Sequence, residues 1–249
     1  MSGHSKWSTI KHKKAAVDKK RGKIFTRLAS ELTMAAREGG GDVSFNNRLA
    51  LAVEKAKAAN MPKDNIERAI KRGTGELEGS ELFEMMYEVY GPNGIAILVE
   101  AVTDNKNRAV ADLRHTVSKN GGNMADAGSV AWQFTRKGYI AVVDVKDEDE
   151  LFMVAAEAGA EDVQFSEEGA EIYVELEAFA AVRDAIQGAG FKLEEANIIY
   201  DPNAPIELEQ QPAIQVMNFI EKIEDLDDVL NVYSTLDVNE EALAAMEAD

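Results

Sequence analysis

The sequence predicts an α+β fold: a basic N-terminal arm and a three-helix bundle, followed by two α/β domains, one ferredoxin-like and inserted in the other. Three observations predict it. The charge changes sign near residue 76, helical periodicity dominates before that point, and a β-α-β-β-α-β order lies between residues 138 and 202. Residues 1–75, the head, carry 17 Lys+Arg against 7 Asp+Glu, whereas residues 76–249, the body, carry 10 against 38. The head therefore has a net charge of +10 and the body one of −28.

The head is predicted to contain a flexible basic arm, residues 1–22, and a helical bundle, residues 23–75. Seven basic residues crowd the arm, and its apolar side chains are too few to offset the entropy of ordering it. From residue 23 onward, apolar residues recur at helical spacing as far as Gly39. A second apolar stripe follows, and a third helix begins near Pro62 and ends at Gly73.

The body begins with a predicted hairpin and a helix. Two β-rich runs, residues 85–90 and 95–102, flank Gly91-Pro92-Asn93-Gly94, where proline and glycine favour a tight turn. The apolar spacing after residue 105 predicts a helix. That helix has three candidate N-caps: Thr103, Asp104 and Asn105.

Residues 138–202 are predicted to form the ferredoxin-like domain. Its strands are expected at 139–145, 162–166, 171–175 and 192–199, with helices at 150–158 and 179–189. Further strand and helix patterns occupy residues 206–233. Because the preceding hairpin and helix are incomplete alone, these last elements are expected to complete them. The second domain is therefore predicted to be discontinuous and to comprise residues 80–137 plus 203–236.

Composition and motifs argue against several classes of function. The absence of Cys excludes disulfides, thiolate metal sites and cysteine nucleophiles. No stretch approaches 18 consecutive apolar residues, and the N-terminus lacks the apolar segment of a secretory signal. The three His residues have no metal-pair spacing, and no Gly-x-Ser-x-Gly motif occurs. We expect a cytoplasmic protein that is not an enzyme and uses no metal, cofactor, small-molecule substrate or membrane.

The charge division predicts that nucleic acid binds the head, because a polyanion is attracted to the head and repelled by the body. Lys outnumbers Arg six to one in the arm, and Lys binds a phosphate backbone without the planar fork that reads base edges. In the third helix, three cations share the face opposite Ile66 and Ile70. The alternative interpretation of the arm is a solubilising tail. The predicted contacts are Lys6, Trp7, Lys11, His12, Lys13, Lys14, Lys19, Lys20, Arg21, Lys23, Arg27, Arg68, Lys71 and Arg72.

Lys106 and Arg108 form a second candidate anion contact. They stand at the N-terminal end of a predicted helix, where free backbone N–H groups and the helix dipole favour an anion. The alternative is that Asp104 and Asn105 cap this helix and that no ligand binds there.

Seven short segments along the chain match, in order, the motifs of a known family. They are Gly3-His4-Ser5-Lys6-Trp7, Lys19-Lys20-Arg21-Gly22-Lys23-Ile24-Phe25, Gly39-Gly40-Gly41-Asp42, Tyr87-Glu88-Val89-Tyr90-Gly91-Pro92, Thr103-Asp104-Asn105-Lys106-Asn107-Arg108, Gly121-Gly122-Asn123 and Gly128-Ser129-Val130. From residue 1 to about residue 235 the chain resembles the YebC/PmpR family. It departs from the family pattern at Val89 and Asn93, where glycine is usual.

The resemblance implies three domains and nucleic-acid work in the cytoplasm. Family members are generally described as DNA-binding transcriptional regulators, whereas a branch that includes mitochondrial activators of cytochrome oxidase translation acts on ribosomes. Our first hypothesis is accordingly a DNA-binding regulator whose acidic domains meet protein partners. The second is a ribosome-associated translation factor whose basic head binds ribosomal RNA. The third is an acidic protein-interaction module without a nucleic-acid role.

Overall fold

In the computed structural model, residues 18–166 and 169–238 are described, with side chains from residue 22 onward. The head contains three helices, α1 Asp18–Gly39, α2 Asn47–Ala58 and α3 Lys63–Gly73. Apolar side chains of all three helices form one buried core, which includes Leu32, Leu49 and Ile66. At Gly73 a Cβ would lie 2.4 Å from the carbonyl oxygen of Thr33, so glycine allows α3 to pack closely on α1.

The first helix begins earlier than predicted. It starts at Asp18, so residues 18–22 belong to α1 and not to a flexible arm as predicted. The sequence pattern misses this part of the helix because residues 18–22 are Asp, Lys, Lys, Arg and Gly, which supply no apolar residue to continue the helical spacing.

The first sheet of the body joins distant parts of the chain. Its strands are β1 Phe83–Tyr90, β2 Ala96–Thr103, β3 Asn123–Met124 and β9 Val229–Ser234, in the order β3-β1-β2-β9. Two helices, α4 Lys106–Lys119 and α7 Gln210–Glu224, supply Leu113, Val117 and Phe219 to the core on one face of this sheet. The predicted turn forms between β1 and β2, where Asn93 adopts a φ of 59°, a conformation that Asn tolerates better than most residues.

The second sheet has the predicted ferredoxin-like topology. The chain runs β4 Phe134–Val143, α5 Glu148–Ala158, β5 Asp162–Ser166, β6 Gly169–Val174, α6 Phe179–Gly188 and β7 Lys192–Pro202. The strand order is β5-β6-β4-β7, and each neighbouring pair is antiparallel. Leu151 of α5 and Ile186 of α6 pack on Ile140 and Ile172 of the sheet. The predicted fold class, with one domain inserted in the other, is confirmed because β9 follows this segment and pairs with β2.

The two sheets pack face to face. Leu98 and Tyr233 of the first sheet meet Tyr139, Tyr173 and Ile199 of the second in one buried cluster. Strand β4 begins at Phe134 and not at residue 139, because its first residues pair with the end of β7 as far as Pro202. A two-residue parallel pair, β8 Ile206–Glu207 with β10 Leu236–Asp237, completes the described elements, and neither β3 nor β10 was predicted. The domain limits proposed from the sequence stay predictions.

Candidate nucleic-acid interface

The predicted contacts fall into three groups in the structure. Lys6, Trp7, Lys11, His12, Lys13 and Lys14 lie outside the described residues. Lys19, Lys20 and Arg21 lie in the first turn of α1. The remaining five, Lys23, Arg27, Arg68, Lys71 and Arg72, have described side chains and divide between two sites.

The first site is an exposed cationic face on α3, formed by Arg68, Lys71 and Arg72. Ile66 and Ala69 on the opposite side of this helix are buried, so the amphipathic pattern turns the three cations to solvent. Lys63 pairs with Glu67 at 3.5 Å, but none of the three cations forms an ion pair with any residue in the part of the chain that is described. Among the described residues, no carboxylate occupies the α3 cationic face, and its contact with an anionic ligand stays a prediction.

The second site lies where α1 meets the end of α7. Arg27 Nη2 donates to the carbonyl oxygens of Glu224 and Leu226, the latter at 3.2 Å. Burial lowers the pKa of Arg27, because desolvation penalises its guanidinium more than the surrounding carboxylates favour it. Lys23 Nζ donates to the carbonyl oxygen of Asp225. Both residues were predicted to bind nucleic acid, and in this structure both contact residues at the end of α7; their part in binding stays a prediction.

Arg27 should contribute measurably to stability. We expect Arg27→Ala to lower the free energy of unfolding by about 2 kcal/mol, because the helix-end carbonyl groups lose a charged donor. Denaturant-induced unfolding measures this change. Lys57→Ala, at an exposed position of α2, is a matched control and should cost less than about 0.5 kcal/mol. Equal costs for the two variants would contradict the anchoring role of Arg27.

The second candidate anion contact is also occupied from within. Arg108 Nη2 lies 2.9 Å from Asp104 Oδ1 and 2.9 Å from Asp228 Oδ1, and hydrogen bonds from Asp228 and Asp104 raise the pKa of Arg108. Asn105 caps α4 by accepting from the backbone N–H of Arg108 at 3.1 Å. Lys106 Nζ lies 3.9 Å from the ring centre of Phe83. Asn105 is therefore the observed cap, whereas Asp104 pairs with Arg108, and an anion contact at this helix start stays a prediction.

The two ends of the predicted interface are well separated along α1. Thr33 Oγ1 donates to the carbonyl oxygen of Ala69 at 3.1 Å, which places the middle of α3 beside residue 33. Lys20 stands 13 residues earlier in α1, a distance of about 20 Å at the helical rise per residue. A ligand that contacts both the start of α1 and the α3 cationic face must therefore follow the length of the bundle.

Phe45 is an exposed aromatic residue that the sequence did not single out. Its side chain is 88% exposed in the loop between α1 and α2. Val43 of the same loop lines an open groove with Lys71 of the α3 cationic face, and the acidic residues Asp42, Glu67 and Glu76 line it too. The signal that could have revealed Phe45 is its position outside any helical stripe, within a loop of Gly, Asp, Ser and Asn.

A second exposed aromatic residue, Trp132, stands on a loop held by Glu88. The carboxylate of Glu88 accepts hydrogen bonds from the backbone N–H groups of Gly128 at 2.6 Å, Val130 at 2.5 Å and Ala131 at 3.0 Å. Burial raises the pKa of Glu88, but these donors outweigh burial and the net pKa is lowered. The Trp132 side chain is 71% exposed.

Glu88→Gln is expected to lower the free energy of unfolding at neutral pH by about 1–3 kcal/mol, because an amide cannot accept all three bonds. Since the folded-state pKa of Glu88 lies below its unfolded value, the carboxylate stabilises fully above the unfolded pKa, and this contribution is lost as the pH falls through the folded pKa. The stabilities of the natural chain and the variant should therefore converge in acid. Thermal unfolding across pH tests this, and convergence only at alkaline pH would contradict it.

The described part of the chain contains neither of two other kinds of feature. No group of three or more His, Cys, Asp or Glu residues among residues 18–166 and 169–238 is arranged to hold a metal ion. No described helix is both long and apolar enough to cross a membrane.

Family models match nearly the whole chain. Residues 5–76 match the TACO1/YebC protein N-terminal domain, and residues 82–236 match the TACO1/YebC second and third domain. The chain belongs to the TACO1/YebC family. The junction between the two matches falls where the charge changes sign, so the basic head corresponds to the N-terminal domain of the family.

Relatives in the TACO1/YebC family are similar over their full length. A probable transcriptional regulatory protein of Desulforapulum autotrophicum is 53% identical over 99% of this chain and 100% of its own length. A protein of the same description from Trichlorobacter lovleyi is 50% identical over 99% and 100%. The crystal structure of a conserved hypothetical protein from Aquifex aeolicus matches with a TM-score of 0.84 and 44% identity, covering 92% of this chain and 96% of that one. These names support a regulatory role.

Proposed function

We propose that this chain is a cytoplasmic nucleic-acid-binding regulatory protein whose head binds the phosphate backbone of duplex DNA, and that it regulates transcription. The observation that carries the proposal is the α3 cationic face, Arg68, Lys71 and Arg72, which is exposed and unpaired among the described residues. It lies on the basic half of a chain whose other half carries a net charge of −28. A polyanion therefore meets the head first and is repelled from the body. Two relatives described as probable transcriptional regulatory proteins agree with this role.

Binding of this kind is mainly electrostatic. Arg and Lys on one helix face can neutralise phosphates along a groove edge, and such contacts position the protein without reading sequence. Asp64 and Glu67 are also exposed on α3, and they disfavour close approach of phosphates on their side of the helix. The acidic body is then free to meet protein partners, and no cofactor or substrate enters the proposal.

Ribosomal RNA is the second candidate ligand, and Phe45 is the observation that favours it. An exposed aromatic ring, two residues from the Val43 that lines a groove with Lys71, is suited to stacking on an unpaired base, which ribosomal RNA offers in its loops and duplex DNA does not. In this alternative the protein acts as a ribosome-associated translation factor. The lysine-rich arm suits either ligand, because Lys binds phosphate as a point charge.

Competition distinguishes the two candidates. A labelled promoter-type duplex bound to the full chain at near-physiological salt is challenged separately with non-specific duplex and with purified ribosomes. Retention of the promoter duplex against both competitors would support transcriptional regulation. Displacement by ribosomes, with all duplexes competing equally, would contradict it and support action in translation.

A further inference from the structure

An acidic loop, residues 224–228, begins at the end of α7 and is held by Arg27 of the head and by Arg108 of the body. Arg27 donates to the backbone carbonyl groups of Glu224 and Leu226, and Arg108 holds the carboxylate of Asp228 through Oδ1 at 2.9 Å. These contacts come from α1 and α4, so the loop is anchored on two sides. The hydrogen bonds of Arg27 and Arg108 to this loop do not involve the carboxylates of Asp225 and Asp227.

Those two carboxylates face Lys23. The ammonium nitrogen of Lys23 lies 3.5 Å from Asp225 Oδ1 and 3.7 Å from Asp227 Oδ1. The side chains of Asp225 and Asp227 are 74% and 90% exposed, whereas that of Lys23 is 25% exposed. Lys23 Nζ also donates to the backbone carbonyl oxygen of Asp225, which holds the Lys23 side chain independently of the two carboxylates. Exposed ion pairs add little to stability, so the two carboxylates themselves contribute little to the fold.

Carboxylate oxygens at these positions resemble the oxygens of a phosphate. Lys23 stands one helical turn after Lys19 and Lys20 in α1, and the basic residues of the arm precede them in the sequence. A nucleic-acid strand bound along α1 from Lys19 and Lys20 would reach Lys23 next. On this path it meets the anionic side chains of Asp225 and Asp227 on the same ammonium group.

We propose that Lys23 is a nucleic-acid phosphate site that the chain's own Asp225 and Asp227 occupy in the unbound protein. The loop at residues 224–228 thereby lowers the affinity of the head for nucleic acid, and a bound phosphate displaces the two carboxylates. This proposal rests on the nucleic-acid binding proposed above and adds to it a residue, a ligand class and an internal competitor. The anchoring contacts of Arg27 and Arg108 stay in place when the carboxylates are displaced.

The test uses one variant of the full chain that carries both Asp225→Asn and Asp227→Asn. The affinity of this double variant for a short duplex, and separately for a ribosomal RNA hairpin, is measured at fixed salt. We expect binding about fivefold tighter than that of a charge-matched control, since two weak ion pairs no longer compete. The control, Asp149→Asn with Glu157→Gln, removes two exposed carboxylates from α5 of the ferredoxin-like domain. A gain no larger than that of the control would overturn the proposal.

A double-mutant cycle locates the effect. In a Lys23→Ala background, the gain from the two Asn substitutions should fall to that of the control, because the competed group is missing. If the gain in affinity persists in full without Lys23, the loop acts through long-range electrostatic repulsion, and the proposed phosphate site at Lys23 is refuted. If the unmodified chain binds nucleic acid but the double Asn variant binds no more tightly, this proposal alone is overturned. Absence of any binding by the unmodified chain overturns the proposed function and this proposal together.

Discussion

Removal of residues 1–17 is expected to weaken binding to nucleic acid on the order of 100-fold at near-physiological salt and to leave the fold intact. The deleted segment contains Lys6, Lys11, Lys13 and Lys14, four cations of the predicted interface. Each phosphate contact contributes about 0.9 to the slope of log affinity against log salt, so four contacts account for a slope change of about 3 to 4. Titration of labelled duplex with the full and truncated chains measures both quantities.

The truncation ends at residue 17 because α1 begins at Asp18. The core of the head is formed by residues from Leu28 onward, so the thermal midpoint should stay unchanged. A truncated chain that binds nucleic acid as tightly as the full chain would contradict the charge-based interface. A truncated chain that unfolds at lower temperature would contradict the separation of binding from folding.

The second large effect is expected at the α3 cationic face. Changing Arg68, Lys71 and Arg72 together to Gln should weaken binding about 30-fold and reduce the salt slope by about 3, because three phosphate contacts are removed. The free energy of unfolding should change by less than about 0.5 kcal/mol, since all three side chains are exposed. Binding titrations across salt, with denaturant unfolding of the same samples, give both values.

A charge-matched control separates local contact from the overall field. Changing Lys119, Lys146 and Lys192 together to Gln removes three exposed cations from the body. This control should weaken binding only slightly. If both triple variants weaken binding equally, net charge explains the effect and the α3 face is not an interface.

Much of the fold followed from local patterns. The β-α-β-β-α-β order predicted the ferredoxin-like sheet, and the amphipathic spacing of α3 placed Arg68, Lys71 and Arg72 on the solvent side. The incomplete hairpin and helix predicted that the last elements would complete this domain, and in the structure β9 does so by pairing with β2. In each case the information lies in the periodicity and order of neighbouring residues, which is what a sequence displays directly.

The missed features depend on contacts between residues far apart in the sequence. Lys23, Arg27 and Arg108 have the composition of an anion site, but their partners are residues 224–228, which only the folded chain brings near. Glu88 is one of 45 acidic residues, and nothing local separates it from the others before its three backbone donors are known. The role of the α3 cationic face in binding stays a prediction.

If the head binds nucleic acid by neutralising phosphates, its affinity must fall steeply with salt. The affinity of the full chain for a labelled duplex is measured from low to moderate salt. We predict a linear fall of log affinity against log salt with a slope of about −6 or steeper, the value for seven or more neutralised phosphates. A flat response would contradict the claim and would leave the protein-interaction hypothesis in its place.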